Sequence, residues 1–221
     1  MVLTYQEETA YLEQFMTERR KARLQEVLSH RTRNLVLVLE DIFDPHNASA
    51  CIRSSEAMGL QELHVAALNL PFKPNPGVTN GAEKWLDIIR HDSVEDCISH
   101  LHGRGFTVAA GVLDEGALPI QELSFDRPVA LVFGNEHEGL SPAMAAACDH
   151  RFYIPMYGFS QSFNISVASA LAVHYAVNQR VNIFGRNGDL DDADIEALYA
   201  HWVRLSVNMA EGILEQLRTQ Q

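Results

Sequence analysis

At 221 residues, 47% apolar and 21% charged, the chain has the make-up of a globular protein with one sizeable core, which excludes a disordered or fibrous class. Its net charge of -12 is spread unevenly, so the total does not by itself exclude a polyanionic partner. Glu7, Glu8 and Glu13 interrupt the opening residues, Ser166, Ser169 and His174 interrupt the most apolar later stretch, and Cys51, Cys97 and Cys148 contain no CxxC pair. The expectation is therefore no secretion signal, no membrane span and reduced thiols in a cytoplasm.

Residues 5–28 place Tyr11, Leu12, Phe15, Met16, Leu24, Val27 and Leu28 at helical spacing, which predicts one amphipathic helix. Arg19, Arg20, Lys21, Arg23, Arg31 and Arg33 stand against only Glu26 and make the segment locally basic. Residues 1–34 thus read as an N-terminal helical extension. The core, residues 35–182, opens with a run of Leu and Val at 35–39, the signature of a strand buried on both faces of a parallel sheet. Further strands are predicted at 62–66, 86–90, 106–111, 129–133 and 152–155.

Helices fall between these strands. One follows Asn47 and stops at Gly59, one starts at Ser93 with Asp96 completing a capping box, and one starts at Ser141 with Pro142. Residues 69–81, with Pro71, Pro74 and Pro76, form a long irregular loop that is either a functional lid or a surface excursion. The alternation of strand and helix predicts a parallel α/β sheet. After Gln179, a turn at Gly185, Asn187 and Gly188 leads into helices at 192–205 and 206–217, an acidic C-terminal extension over 183–221.

Three segments carry chemistry. In the first, Asp44, Pro45, His46 and Asn47 lead from the first strand into a helix, with Arg53 six residues beyond Asn47; that step puts the Asn at the helix N-terminus and the Arg on a different face. In the second, Gly134, Asn135, Glu136, His137, Glu138 and Gly139 make a glycine-bounded acidic loop at the carboxyl end of a buried strand. Ligands of open α/β sheets gather there, and Gly134 lets the backbone approach one closely. The third runs from Ile154 through Met156, Gly158, Ser162, Phe163 and Asn164 to Ala168, Ser169 and Ala170. In this order the segments resemble the three motifs of the SpoU-class (SPOUT) RNA ribose 2'-O-methyltransferases, and the two terminal extensions favour the TrmH-like branch.

The resemblance implies an α/β fold whose parallel sheet ends in a C-terminal deep trefoil knot, an exception to unknotted topology. It implies S-adenosyl-L-methionine as cofactor, held against the backbones of Gly111, Gly134, Ile154 and Phe163 with Asn135 and Met156 nearby. Ser162 and Asn164 would help form the nucleotide site, Glu136 would be an active-site acid, and Asn47 would orient Arg53. A guanidinium is a poor proton acceptor, so Arg53 is expected to anchor a phosphate and stabilise the developing alkoxide.

A homodimer with Arg53 close to the partner chain is implied as well. The implied substrate is a D-loop guanosine of tRNA, with ribosomal RNA, or a noncatalytic RNA-binding module, as alternatives. The basic segment from Arg19 to Arg33 is then either an RNA-contacting arm or a solvated helix face. Phe163, Tyr157 and Phe159 depart from the usual aliphatics of the third motif, and the acidic C-terminal helices are longer than typical, which bears on the substrate more than on the reaction.

Other chemistries fit less well. Gly158 to Ser162 imitates a nucleophile elbow, but Ser162 stands where a second Gly belongs and no Asp and His complete a triad. Neither His100 with His102 nor His137 with His150 has a third ligand, so no metal is expected, and no GxGxxG follows a strand.

Overall fold

The structure is a computed structural model that describes residues 4–219, so the first three and last two residues of the expected extensions lie outside the described residues. The chain divides into two compact units, one made of residues up to Arg31 together with those from Gly188 onward, the other of Thr32–Asn187.

In the first unit, residues 5–28 form two helices where the periodicity predicts one: α1 (Tyr5–Leu12), a 3-10 turn at Glu13–Phe15, and α2 (Glu18–Leu28). Thr17 makes the break. Its backbone is extended, and its side chain accepts the Arg20 N–H at 3.2 Å, so a new helix is capped there and the apolar spacing simply continues across the gap.

The second unit runs β1 (Leu35–Glu40), α3 (Pro45–Ala57), β2 (Glu62–Ala66), α4 (Pro76–Thr79), β3 (Asp87–His91), α5 (Val94–Gly103), β4 (Thr107–Gly111), β5 (Leu118–Pro119), β6 (Val129–Phe133), α6 (Pro142–Ala147), β7 (His150–Tyr153) and α7 (Ile165–Phe184). The chain then returns to the first unit as α8 (Asp192–Ser206) and α9 (Ala210–Thr219). There α8 packs on α1 and α2, and Leu12, Trp202, Val203 and Leu214 are fully buried. Glu8, also buried, is paired with Arg204 and Arg218.

The predicted parallel α/β architecture is what forms: a seven-stranded sheet in the order β3-β2-β1-β6-β4-β7-β5, every pairing parallel. The two-residue β5 is too short to leave a hydrophobic pattern and escapes a sequence reading. Leu35, Leu37 and Leu39 of β1 face a core shared with α3 and α7, while Val36 and Val38 face a second core shared with α5 and α6. Cover on both faces is why β1 reads as an unbroken aliphatic run. Among the described residues no helix is long and apolar enough to cross a membrane.

The topology also fixes where a ligand can sit. From β1 the chain leaves to α3 on one face, and from the adjacent β6 it leaves to α6 on the other, so a crevice opens at the carboxyl ends of these two strands.

Candidate active site

The loop after β6 is a closed miniature hairpin. Asn135 and Gly139 exchange backbone hydrogen bonds at 3.0 and 3.1 Å, and the Asn135 side-chain oxygen accepts the N–H groups of His137 (2.9 Å) and Glu138 (2.7 Å). A Cβ at Gly134 would lie 2.1 Å from the Gly139 backbone. The glycine is thus demanded by the loop closing on itself, a more local cause than the close approach of a ligand expected from sequence. Buried Glu40 at the end of β1 holds the far side of the loop, accepting the Ser141 N–H and hydroxyl, each at 2.7 Å.

Across the crevice, Asp44 caps α3 by accepting the His46 N–H at 2.8 Å, and Pro45 is its first residue, which sets Asn47 two positions further in, its side chain largely buried. The Asn47 amide donates to Glu136 Oε1 at 2.5 Å, and its carbonyl oxygen accepts from Asn164 Nδ2 at 3.1 Å. Asn164 in turn caps α7, accepting the Ser166 N–H at 2.9 Å. Glu136 also accepts the backbone N–H groups of Phe43 (3.2 Å) and Asp44 (3.4 Å). Three segments separated widely in sequence are therefore tied by one carboxylate and two amides, the amides at helix N-termini and the carboxylate in the closed hairpin after β6.

Beside this cluster lies a cleft of about 670 Å³ lined by Gly111, Gly134, Asn135, Ile154, Met156 and Phe163, with Glu136, Ser162 and Asn164 on its wall. A Cβ at Gly111 would lie 2.7 Å from the Phe133 ring, which itself stands edge-to-face on Phe152 at 5.8 Å; the glycine makes room for that ring in the cleft wall. The volume is of nucleoside size, and apolar walls with backbone groups at strand ends are what such a ligand needs.

Two expectations need correction. Asn47 does not orient Arg53: its polar atoms are used by Glu136 and Asn164, and exposed Arg53, further along α3, donates instead to the Val78 carbonyl at 3.2 Å. Arg53 is not among the residues lining the cleft. The basic segment does not form one arm: Arg31 is fully buried with its guanidinium 5.1 Å from the Trp202 ring centre, and Arg33 pairs with Glu62 (2.5 Å) and Asp87 (2.8 Å). Of the rest, Lys21 pairs with Glu18 and Arg23 with Glu26 along α2, and Arg20 donates to Ser206, while Arg19 is exposed. The elbow-like run at Gly158–Ser162, already disfavoured by its sequence, is also no tight strand-turn-helix, since β7 ends at Tyr153 and α7 starts only at Ile165.

The loop at 69–81 is docked. Asp41, held at a positive φ of 46°, accepts from the Asn69 N–H (2.8 Å), the Asn69 side chain (2.7 Å) and the Leu70 N–H (3.1 Å), and Ser49 of α3 accepts the Asn75 N–H at 2.7 Å. A sequence reading misses Asp41 and Glu40 because each acts only through a loop folded back onto it; the one local signal is an acid pair at the end of an aliphatic strand. Burial pushes the Cys51 thiol up to about 11 and those of Cys97 and Cys148 to about 12, which leaves all three as small apolar side chains.

A parallel α/β sheet with a nucleoside-sized cleft and an Asn-Glu-Asn cluster at its switch point defines a ligand-binding enzyme core of the doubly covered kind. Residues 34–174 match the SpoU rRNA Methylase family, and the chain belongs to it. A tRNA (guanosine(18)-2'-O)-methyltransferase from Borreliella burgdorferi is 39% identical over 74% of this chain and 75% of its own length, and one from Thermus thermophilus is 36% identical over 85% and 97%. Among solved structures, the A. aeolicus TrmH/SpoU tRNA modifying enzyme superposes with a TM-score of 0.78 at 31% identity, covering 86% of this chain and 98% of that one.

Proposed function

We propose that the protein transfers a methyl group from S-adenosyl-L-methionine to the ribose 2'-hydroxyl of a guanosine in tRNA, position 18 in the naming of its relatives. The observation that carries this reading is the Asn47-Glu136-Asn164 cluster on the rim of the glycine-lined cleft. The residues present fit the cofactor: a slot whose wall is shaped by the Phe133 ring packed on Gly111, with Ile154, Met156 and Phe163 offering apolar contact and the strand ends offering backbone donors and acceptors. When bound, the cofactor supplies an electrophilic sulfonium methyl group.

The chain itself supplies positioning and charge. The cluster fixes the loops on either side of the cleft mouth, so Ser162 and Asn164 meet a nucleotide at a preset place. Arg53 stays protonated; its role is to hold a phosphate and stabilise the negative charge that grows on the 2'-oxygen, the proton leaving to that phosphate or to water. Because Arg53 lies outside the cleft of its own chain, this role belongs to a homodimer in which Arg53 lies close to the partner chain. A solvent-facing stripe of α7 supports a second copy: Val167, Leu171 and Val181 are each more than a third exposed on a helix that is apolar overall.

The same reading includes the knot and the domain boundaries. β7 lies between β4 and β5, whose short connection at 112–117 crosses its carboxyl end, and the chain leaving β7 at Ile154 goes on to α7 against α3; threading of 154–164 through that connection accounts for this order. Residues 35–182 form the methyltransferase core, the terminal helices are extensions to it, and the enzyme is cytoplasmic.

Incubation with labelled cofactor and total RNA, followed by mapping of methylated riboses, should find one tRNA guanosine; label confined to ribosomal RNA, or none at all, overturns the reading. Arg53→Ala should weaken tRNA binding and lower kcat, with Arg53→Lys recovering the binding in part. Equal rate losses with binding unchanged would remove phosphate anchoring from the mechanism.

A further inference from the structure

Phe43 is 62% exposed, yet it is held in place more firmly than a stray surface ring. Its N–H donates to Glu136 Oε2 at 3.2 Å, so its backbone is part of the same cluster that ties the cleft together. Its ring meets that of His137, from the opposite loop, edge-to-face with centroids 5.4 Å apart and planes at 68°. Single exposed apolar residues are ordinary on protein surfaces. A ring pinned through its backbone to the candidate active-site acid and braced by a second ring has a defined orientation.

Both rings line a second cleft of about 510 Å³ that adjoins the first and shares Asn135, His137 and Glu138 with it. Its floor carries Glu40 and Asp41, whose oxygens are taken by Ser141 and by Asn69 and Leu70. The negative charge of these carboxylates disfavours a phosphate in the cleft, and an aromatic face suits a flat π system. An unpaired nucleobase meets both conditions, and RNA bases freed from their neighbours are bound on aromatic rings in this way. The second cleft adjoins the main one, within reach of a base next to a nucleotide held at the mouth of the main cleft.

We propose that Phe43, braced by His137, is a stacking platform for an unpaired base of the RNA beside the nucleotide that is methylated. This rests on the RNA methyltransferase reading above and deepens it by naming what the second cleft holds. The test uses the full-length protein with S-adenosyl-L-methionine and a tRNA transcript, comparing Phe43→Ala, Phe43→Leu and Phe43→Trp. Phe43→Ala and Phe43→Leu should each raise KM for tRNA about ten-fold, the order expected for one lost base stack, with kcat and cofactor affinity within two-fold of the unaltered protein. Phe43→Trp should restore KM, and its added tryptophan fluorescence should be quenched by tRNA beyond the quenching seen in the unaltered protein.

Unchanged KM in Phe43→Ala overturns the platform. So does recovery by Phe43→Leu equal to that by Phe43→Trp, which would mean bare apolar contact, and so does a change of molecular mass in solution on Phe43→Ala, which would mean that a second copy covers the ring. If the unaltered protein transfers no methyl group, the parent reading falls instead, and quenching of Phe43→Trp by tRNA still decides the platform.

Discussion

Two polar networks sit on the same sheet, each gathered round a glutamate, and differ in almost everything else. The Asn47-Glu136-Asn164 cluster lies at the carboxyl ends of β1 and β6, partly open to solvent and bordered by a cleft. The other network begins at Glu62 and His64, which alternate along β2 and are buried. His64 bonds to His91 at 2.9 Å, His91 to Asp96 at 2.9 Å, and Glu62 takes Arg33 at 2.5 Å and Arg104 at 2.6 Å. Burial works to raise the Glu62 carboxyl, but hydrogen bonds from His64, Arg104 and Arg33 and the charge of Arg104 outweigh it and hold the group at about 2. Burial holds His64 below the usual histidine value, with Glu62 acting the other way.

A perturbed titration is thus no guide to the active site in this chain. The network with the displaced values has its groups matched within the protein and lines neither of the two clefts described above; it lies at the β2-β3 edge beside α5. The cluster with the cleft owes its significance to geometry.

The sharpest way to break the comparison is to damage each network and ask which property fails. Glu136→Ala removes the acceptor shared by Asn47 and two backbone N–H groups, and should cut kcat by about 10²-fold or more, the scale of a lost preorganised contact, while melting within a few degrees of the unaltered protein. Single-turnover methyl transfer measures this, and a loss under ten-fold would remove the cluster from the reaction. Glu62→Gln should do the reverse. It leaves Arg33 and Arg104 without their common partner, and since both keep some access to water, the cost should be about 2 kcal/mol rather than that of a fully buried pair. Denaturant unfolding reads that loss, and turnover of the folded fraction should be unchanged.

Acid sharpens the contrast further. Both Glu62 and His64 titrate lower in the folded chain than their ordinary values of 4.5 and 6.5. The His64 contribution is therefore complete above pH 6.5 and shrinks as pH falls below it; that of Glu62 is complete above pH 4.5 and is lost as pH falls toward 2. Glu62, His91 and His100 face His64, and Asp96 bonds to His91 behind it. The melting temperature should fall between pH 7 and pH 5, and His64→Gln should flatten that fall; an equal fall in the variant would assign it elsewhere.

The smallest effect concerns the terminal unit. Replacing Arg19 and Arg20 together by Ala should reduce the slope of log affinity for tRNA against log salt by about 2 at most, if the exposed face of α2 meets phosphate. Deletion of residues 1–33 is a poorer test, because it also removes Arg31 from beneath Trp202.

Much of this architecture is legible without coordinates. The aliphatic runs of β1 and β6, the Ser141-Pro142 helix start and the glycine-bounded loop after β6 are local signals, because caps, turns and strand burial are decided within a few residues, although α3 starts at Pro45, capped by Asp44, rather than at the expected Asn47. The same locality explains the errors. Spacing cannot see that Thr17 restarts a helix, and a count of basic residues cannot see that Arg31 is buried while Arg33 is engaged by Glu62 and Asp87.

What the amino-acid sequence determined by itself is the longer strands and helices of the sheet and the three segments that resemble a known family, but neither the two-residue β5 nor the break at Thr17. Tertiary structure alone decided that Asn47 meets Glu136 across 89 residues and Asn164 across 117, while Arg53, only six residues away from Asn47, turns to Val78. The physical reason is strand order. Insertion of β6 beside β1 brings two distant loops within hydrogen-bond reach, and no property of either loop in isolation encodes which neighbour the sheet will supply.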